Sequence, residues 1–306
     1  MDEPSILSGR GTVPGPPLSR RFGRSHCRAI CALFALAMAG AGLACAPVRS
    51  RAEIQDQVDK KLGLAKVLVE GSNYSQAIAI LTDLARQQPK NAEVHLFLGI
   101  ADYGLGDYPA AETALREAIR LDPRGSDGHY YYGVVCFAIG GRERDAGRAA
   151  EAQARFKQAL EEWRRVLGDP TFSGREQVYL SLSEVDDALG DGEEAMRMAR
   201  QAIELQPTFY PAHFRVAVLL DRLDRLREAI EEYEIAAPGY SSDPAYHFRL
   251  GVAYFRDRKP DLAREHLTKV TAAVPGTENA KKAKEFLELI AAPSGAPPGS
   301  TGAAPR

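Results

Sequence analysis

Four of the six histidines are regularly placed: His95 and His129 lie 34 residues apart, and so do His213 and His247. Imidazole is the commonest protein metal ligand, so a metal site is the first chemistry this spacing raises. Zinc ligands, however, must each lie about 2 Å from one ion, whereas equivalent residues on neighbouring packed helices sit about 10 Å apart. A regular spacing therefore argues for one packing role copied four times, and no metal is expected. The adjacent acids Asp186-Asp187 and Glu231-Glu232 are the next candidates, as an acid–base couple. Neighbours on a helix point about 100° apart, which makes them solvated faces instead. No Gly-x-x-x-x-Gly-Lys loop, His-Glu-x-x-His pair or nucleophile motif is present. No catalytic residue, cofactor or small-molecule substrate is expected, and the chain reads as a non-enzyme.

The elements that carry these residues follow from a 34-residue period. Leu98-Gly99, Gly106-Asp107-Tyr108, Ala111, Leu115, Ala118 and Pro123 form one unit, and Leu250-Gly251, Tyr254, Ala263, Leu267, Val270 and Pro275 repeat its residue classes. Alanine holds one place in six stretches, at Ala77, Ala111, Ala159, Ala195, Ala229 and Ala263. The pattern resembles the tetratricopeptide repeat. That resemblance implies an all-α fold, a right-handed superhelix (α-solenoid) of six helical hairpins. Each hairpin pairs a helix A with a helix B, and small residues sit where the two touch. The copies are 58–91, 92–125, 126–173, 176–209, 210–243 and 244–277. Pro89, Pro123, Pro207 and Pro275 should stop helix B. The four histidines then share position 4 of helix A, and Cys136 falls at a core position of the same helix, a small buried hydrophobe.

The third copy is irregular. Residues 141–155 are an insertion that should lengthen its helix B, with Gly140-Gly141 in the turn before it and one long helix over Ala149 to Leu167. It is either a dedicated contact or a tolerated extension. Residues 278–291 place Ala283, Phe286, Leu287 and Ile290 on one face and predict a capping helix. Residues 292–306 are rich in Pro, Gly, Ala, Ser and Thr and predict a disordered tail.

The first 44 residues have another character. Arg20, Arg21, Arg24 and Arg28 precede an apolar run, Ala29 to Ala44, short for a membrane span. The run closes on Gly42-Leu43-Ala44-Cys45, which resembles the lipobox of bacterial lipoproteins. That family prefers leucine and a small residue where Gly42 and Leu43 stand, so the register rests on Ala44-Cys45. The resemblance implies a signal peptide over 1–44 with an N-terminal extension, lipid attachment at Cys45 and a linker over 45–57; an uncleaved N-terminal anchor is the other reading. Ala46, where enterobacterial lipoproteins retained at the inner membrane carry aspartate, implies sorting to the outer membrane, facing the periplasm. Without residues 1–44 the chain keeps 34 basic and 39 acidic residues, a net charge of −5. A mildly acidic body with no basic stripe argues against a nucleic-acid partner.

In this repeat family the concave face is lined by helix A. Here it would present Leu96, Ile100 and Tyr103, then Tyr130, Val134 and Phe137, then Phe214, Val218, Phe248, Val252, Phe255 and Arg256. An apolar, aromatic groove suits a segment of a partner protein. A lipobox followed by six such repeats resembles the pilotin-type lipoproteins of type IV pilus biogenesis, which implies help with secretin assembly and a secretin subunit as partner. A scaffold for another envelope machine, such as outer-membrane protein assembly or polysaccharide export, is the alternative.

Overall fold

A computed structural model describes residues 51–292, and all thirteen elements among them are α-helices. The leader, Cys45 and residues 293–306 lie outside the described residues. The chain divides into two compact units, one ending at Gly174 and the other starting at Arg175.

The first unit contains α1 (Arg51–Glu70), α2 (Tyr74–Gln87), α3 (Ala92–Leu105), α4 (Tyr108–Leu121), α5 (Ser126–Asp145) and α6 (Ala149–Leu167). Consecutive helices pair as A and B. The side chain of Asn91 accepts from the backbone N–H of Glu93 at 3.0 Å and opens α3, and Asp107 accepts from Ala110 at 3.1 Å and opens α4. Ala77, Ala111 and Ala159 are fully buried where the two helices of each hairpin meet. α2 and α4 end two residues before Pro89 and Pro123.

Two boundaries differ from the sequence expectation. α1 begins at Arg51, inside the segment 45–57 expected to be a linker. Residues 51–57 contain no glycine or proline, and Gln55 donates to Asp59 at 2.8 Å while Lys60 pairs with Asp56 at 2.7 Å, contacts one helical turn apart. Burial starts only at Val58, which is why periodicity did not reveal those turns. The insertion, secondly, lengthens both helices of the third hairpin and not helix B alone. α5 passes through Gly140-Gly141 because a side chain at Gly140 would meet the Phe156 ring at 2.6 Å, so glycine there permits packing and makes no turn. The turn falls at Gly147 (φ 76°), where Arg148 N–H donates to Glu143 C=O at 2.8 Å and Gly147 N–H to Arg144 C=O at 2.9 Å.

The second unit contains α7 (Arg175–Ala188), α8 (Gly192–Leu205), α9 (Tyr210–Arg222), α10 (Leu226–Tyr240), α11 (Pro244–Arg256), α12 (Pro260–Ala273) and α13 (Glu278–Ala291). Its core runs from Ala199 to Ala283, with Tyr233 and Tyr246 fully buried among aliphatic side chains. α13 lays Phe286, Leu287 and Ile290 on this core, so the last repeat has no bare apolar side there.

Candidate partner-binding face

The four regularly spaced histidines prove to share more than bulk. In each, Nε2 bonds the backbone carbonyl six residues upstream: Pro89 for His95 (3.1 Å), Pro123 for His129 (3.1 Å), Pro207 for His213 (3.0 Å) and Ser241 for His247 (2.9 Å). The imidazole thus ties the start of each helix A to the carbonyls left open beyond the preceding helix B. The other nitrogen faces helix B of the same hairpin, reaching Glu162 from His129 (2.5 Å), Glu232 from His213 (2.6 Å) and His266 from His247 (2.9 Å).

The partners decide the titration. The Glu162 carboxylate raises the His129 pKa, while burial, then the charge of His247, depresses that of His266 to about 4. A neutral, partly buried His266 resists protonation that the unfolded chain accepts near pH 6.5, so stability falls as pH drops from 6.5 to 4. His129 works the other way and loses its contribution as pH rises above 6.5. Replacing His266 by Gln should therefore flatten the acid side of the stability curve by about 2 kcal/mol, discounted for partial exposure. Urea titrations at about pH 4.5 and about pH 7.5, on either side of the ordinary histidine range, measure it. An unchanged pH slope would overturn the assignment.

On the face expected to bind a partner, the structure separates the candidates. Leu96, Tyr103 and Phe137 are partly buried, and Tyr103 stacks on Tyr108 at 5.8 Å. Phe137 lies against Phe156 (5.4 Å) and Trp163 (5.8 Å). Tyr130 is fully buried, and Ile100 and Val134 nearly so, which removes these three from the contact surface. Phe172, in the segment after α6, packs 5.9 Å from the Tyr130 ring, a contact that no periodicity foretold. Leu105, whose helical spacing suggested a packed residue, is instead 56 % exposed at the end of α3.

In the second unit Phe214 stacks on Tyr240 at 4.7 Å and neighbours Tyr233 and Tyr246. Val218 and Val252 are partly buried against the same core. Phe248 and Phe255 are approached by Phe286 of α13, at 6.5 and 5.1 Å, so the face of the sixth repeat is partly occupied by the chain itself. Arg256 is exposed but committed, pairing with Asp221 and, at 2.6 Å, with Asp224. One repeat earlier Arg222 pairs with Asp187 in the same way. These pairs form an ion-pair ladder along α7, α9 and α11, where an apolar surface was expected. Its sequence signal was available, since Asp187 and Arg222 recur as Asp221 and Arg256 at a separation of 34.

Models of the tetratricopeptide repeat match residues 58–138, 138–171, 180–244 and 217–277, together most of the chain. The chain belongs to the tetratricopeptide repeat family. Repeats of this family bind protein partners, and the array is a protein-interaction scaffold. No curated protein sequence matches the chain. Among solved structures it is similar to PilF of Pseudomonas aeruginosa, at a TM-score of 0.64 and 16% identity over 76% of this chain and 98% of that one. It is also similar to PilW, described as a widely conserved type IV pilus biogenesis factor, at 0.58 and 22% over 74% and 98%. A thermophilic repeat protein of Thermus thermophilus, TTC0263, matches at 0.53 and 21% over 65% and 99%. At these identities the likeness is one of fold.

Proposed function

We propose that this tetratricopeptide protein is a non-catalytic lipoprotein of the outer membrane that holds a secretin subunit during type IV pilus biogenesis. The observation that carries the reading is the order of parts: a basic then apolar leader closing on Ala44-Cys45, followed after five residues by the first helix of a repeat array. Lipid on Cys45 would tether the array to the periplasmic side of the outer membrane. The helix A faces would then hold a segment of the secretin subunit until it oligomerises, lowering its chance of misassembly. The similarity in fold to PilF and PilW, the latter a pilus biogenesis factor, supports it.

The test is assembly in the producing organism. Deleting the gene should leave secretin subunits monomeric or at the inner membrane, read as at least a tenfold drop in heat-stable secretin multimers on gels of outer-membrane fractions. Co-purification of secretin with the protein from solubilised membranes should accompany it. Normal multimers in the deletion strain would overturn the secretin reading and favour another envelope machine, such as polysaccharide export.

A further inference from the structure

The sixth hairpin departs from a rule that the third and fifth share. Three residues after the repeat alanine, helix B of those hairpins carries Glu162 and Glu232, each meeting Nδ1 of the histidine on helix A. A carboxylate can only accept, so a proton on the imidazole completes such a bond and mild acid leaves it intact. In the sixth hairpin His266 takes that place. Nδ1 of His247 faces Nδ1 of His266 at 2.9 Å, with the ring centres 5.0 Å apart.

Counting hydrogens fixes what this contact tolerates. Ser241 C=O can only accept, so Nε2 of His247 carries a hydrogen. Neutral His247 then offers a lone pair at Nδ1, and His266 Nδ1–H donates to it. One added proton is accommodated, on either ring. Two are not, because two N–H groups would point at each other across 2.9 Å.

Among the described residues no carboxylate bonds either of these rings. Besides His247, the charges felt by His266 are Lys269 and Glu265 of α12, which pair with each other at 2.8 Å. Glu234 of α10 accepts from the Tyr254 hydroxyl at 2.6 Å, and Lys259 stands over the Tyr254 ring at 5.8 Å. Tyr246 and Tyr254 of α11 flank His266 at 6.4 and 5.7 Å.

We infer that His247 and His266 form an acid-operated latch: taking up two protons parts α11 from α12 and frees the C-terminal end of the array ahead of the rest. α13 rests on the core of this hairpin through Phe286, Leu287 and Ile290, so it leaves as well and bares Phe248 and Phe255. The closed pair takes at most one added proton, whereas two freed imidazoles take two at about pH 6.5, so opening is favoured as pH falls below that value. Burial of His266 acts in the same direction. The latch depends neither on the secretin nor on the lipid tether.

Hydrogen exchange on the detergent-solubilised full-length protein, read by mass spectrometry at about pH 7.5 and about pH 5 and corrected for intrinsic rates, tests it. On acidification, peptides of α11 to α13 should lose at least about tenfold more protection than those of α5 and α6, where His129 meets Glu162. His266→Glu, which installs the pairing of the third and fifth hairpins, should abolish the difference. His266→Gln, neutral at both pH values, should abolish it too and serves if the glutamate variant does not fold. An equal loss over all helices, no loss at the lower pH, or a difference that persists in a folded variant would overturn the latch.

Discussion

Cys45→Ser is expected to abolish incorporation of labelled palmitate, to leave the precursor uncleaved at its leader, and to remove the protein from the outer-membrane fraction. The effect is all or none because the thiol is the acylation site that the lipobox resemblance implies, and a serine hydroxyl cannot take its place. Acyl chains contribute about 0.8 kcal/mol per buried CH₂, and stable anchoring needs two signals, such as two chains on one residue. No described helix is long and apolar enough to cross a membrane, so none of them would substitute for the lipid. The five residues between Cys45 and Arg51 span at most about 18 Å when extended, which would hold the array close to the bilayer. Wild-type processing should stop in globomycin, the inhibitor of signal peptidase II. Equal palmitate labelling and equal fractionation of variant and wild type would remove the tether and, with it, the proposed location.

The second large effect is expected inside the first unit. A Cβ built on Gly133 of α5 would lie 2.6 Å from Nε1 of Trp163, a buried ring that donates to Tyr130 C=O at 3.1 Å. The ring cannot swing aside, since Phe137 lies 5.8 Å away and the indole is 1 % exposed. Gly133→Leu must then separate α5 from α6, at a cost of about 3 kcal/mol. Trp163 is the single tryptophan of the chain, so its fluorescence reports the separation directly as a red shift, together with a lower denaturation midpoint. Gly63→Ala is the control. Nothing lies within 4 Å of a Cβ there, mid-helix in α1, and alanine should stabilise by about 0.5 to 1 kcal/mol. A Gly133→Leu variant as stable as wild type would mean that the long hairpin does not close on glycine.

Much of the fold was legible because a repeat states the same constraint many times. Ala111 alone is an ordinary alanine, but six alanines in register report a helix–helix contact that admits no larger side chain. The four histidines were legible as one position copied four times for the same reason. Their bonds to carbonyls six residues upstream were not, because those bonds depend on how the end of one helix B meets the next helix A. The insertion shows a similar limit. About fourteen extra residues were visible as a break in the 34-residue period of the repeat, but Gly140-Gly141 looks like a turn until Phe156 is seen packed against it. Glycine has two uses, turning a chain and admitting a close neighbour, and local sequence does not distinguish them.

The candidate face was legible by position and not by accessibility. Helix A positions are countable along the chain, so Leu96, Tyr103, Phe137 and Phe214 could be placed on one face of their helices. Whether such a side chain is open depends on what else folds over it. Phe172 packs against Tyr130, and Phe286 approaches Phe248 and Phe255; both come from irregular or terminal segments that no repeat pattern describes. The sequence by itself determined the all-α architecture, the capping helix and the absence of recognisable catalytic motifs, because each follows from periodicity or residue type. Tertiary structure alone decided that α5 and α6 both lengthen, and that the recurring Asp187 and Arg222, Asp221 and Arg256 meet as ion pairs. Pairing of charges and covering of apolar surface are properties of residues far apart in the chain, and only packing brings them within reach of each other.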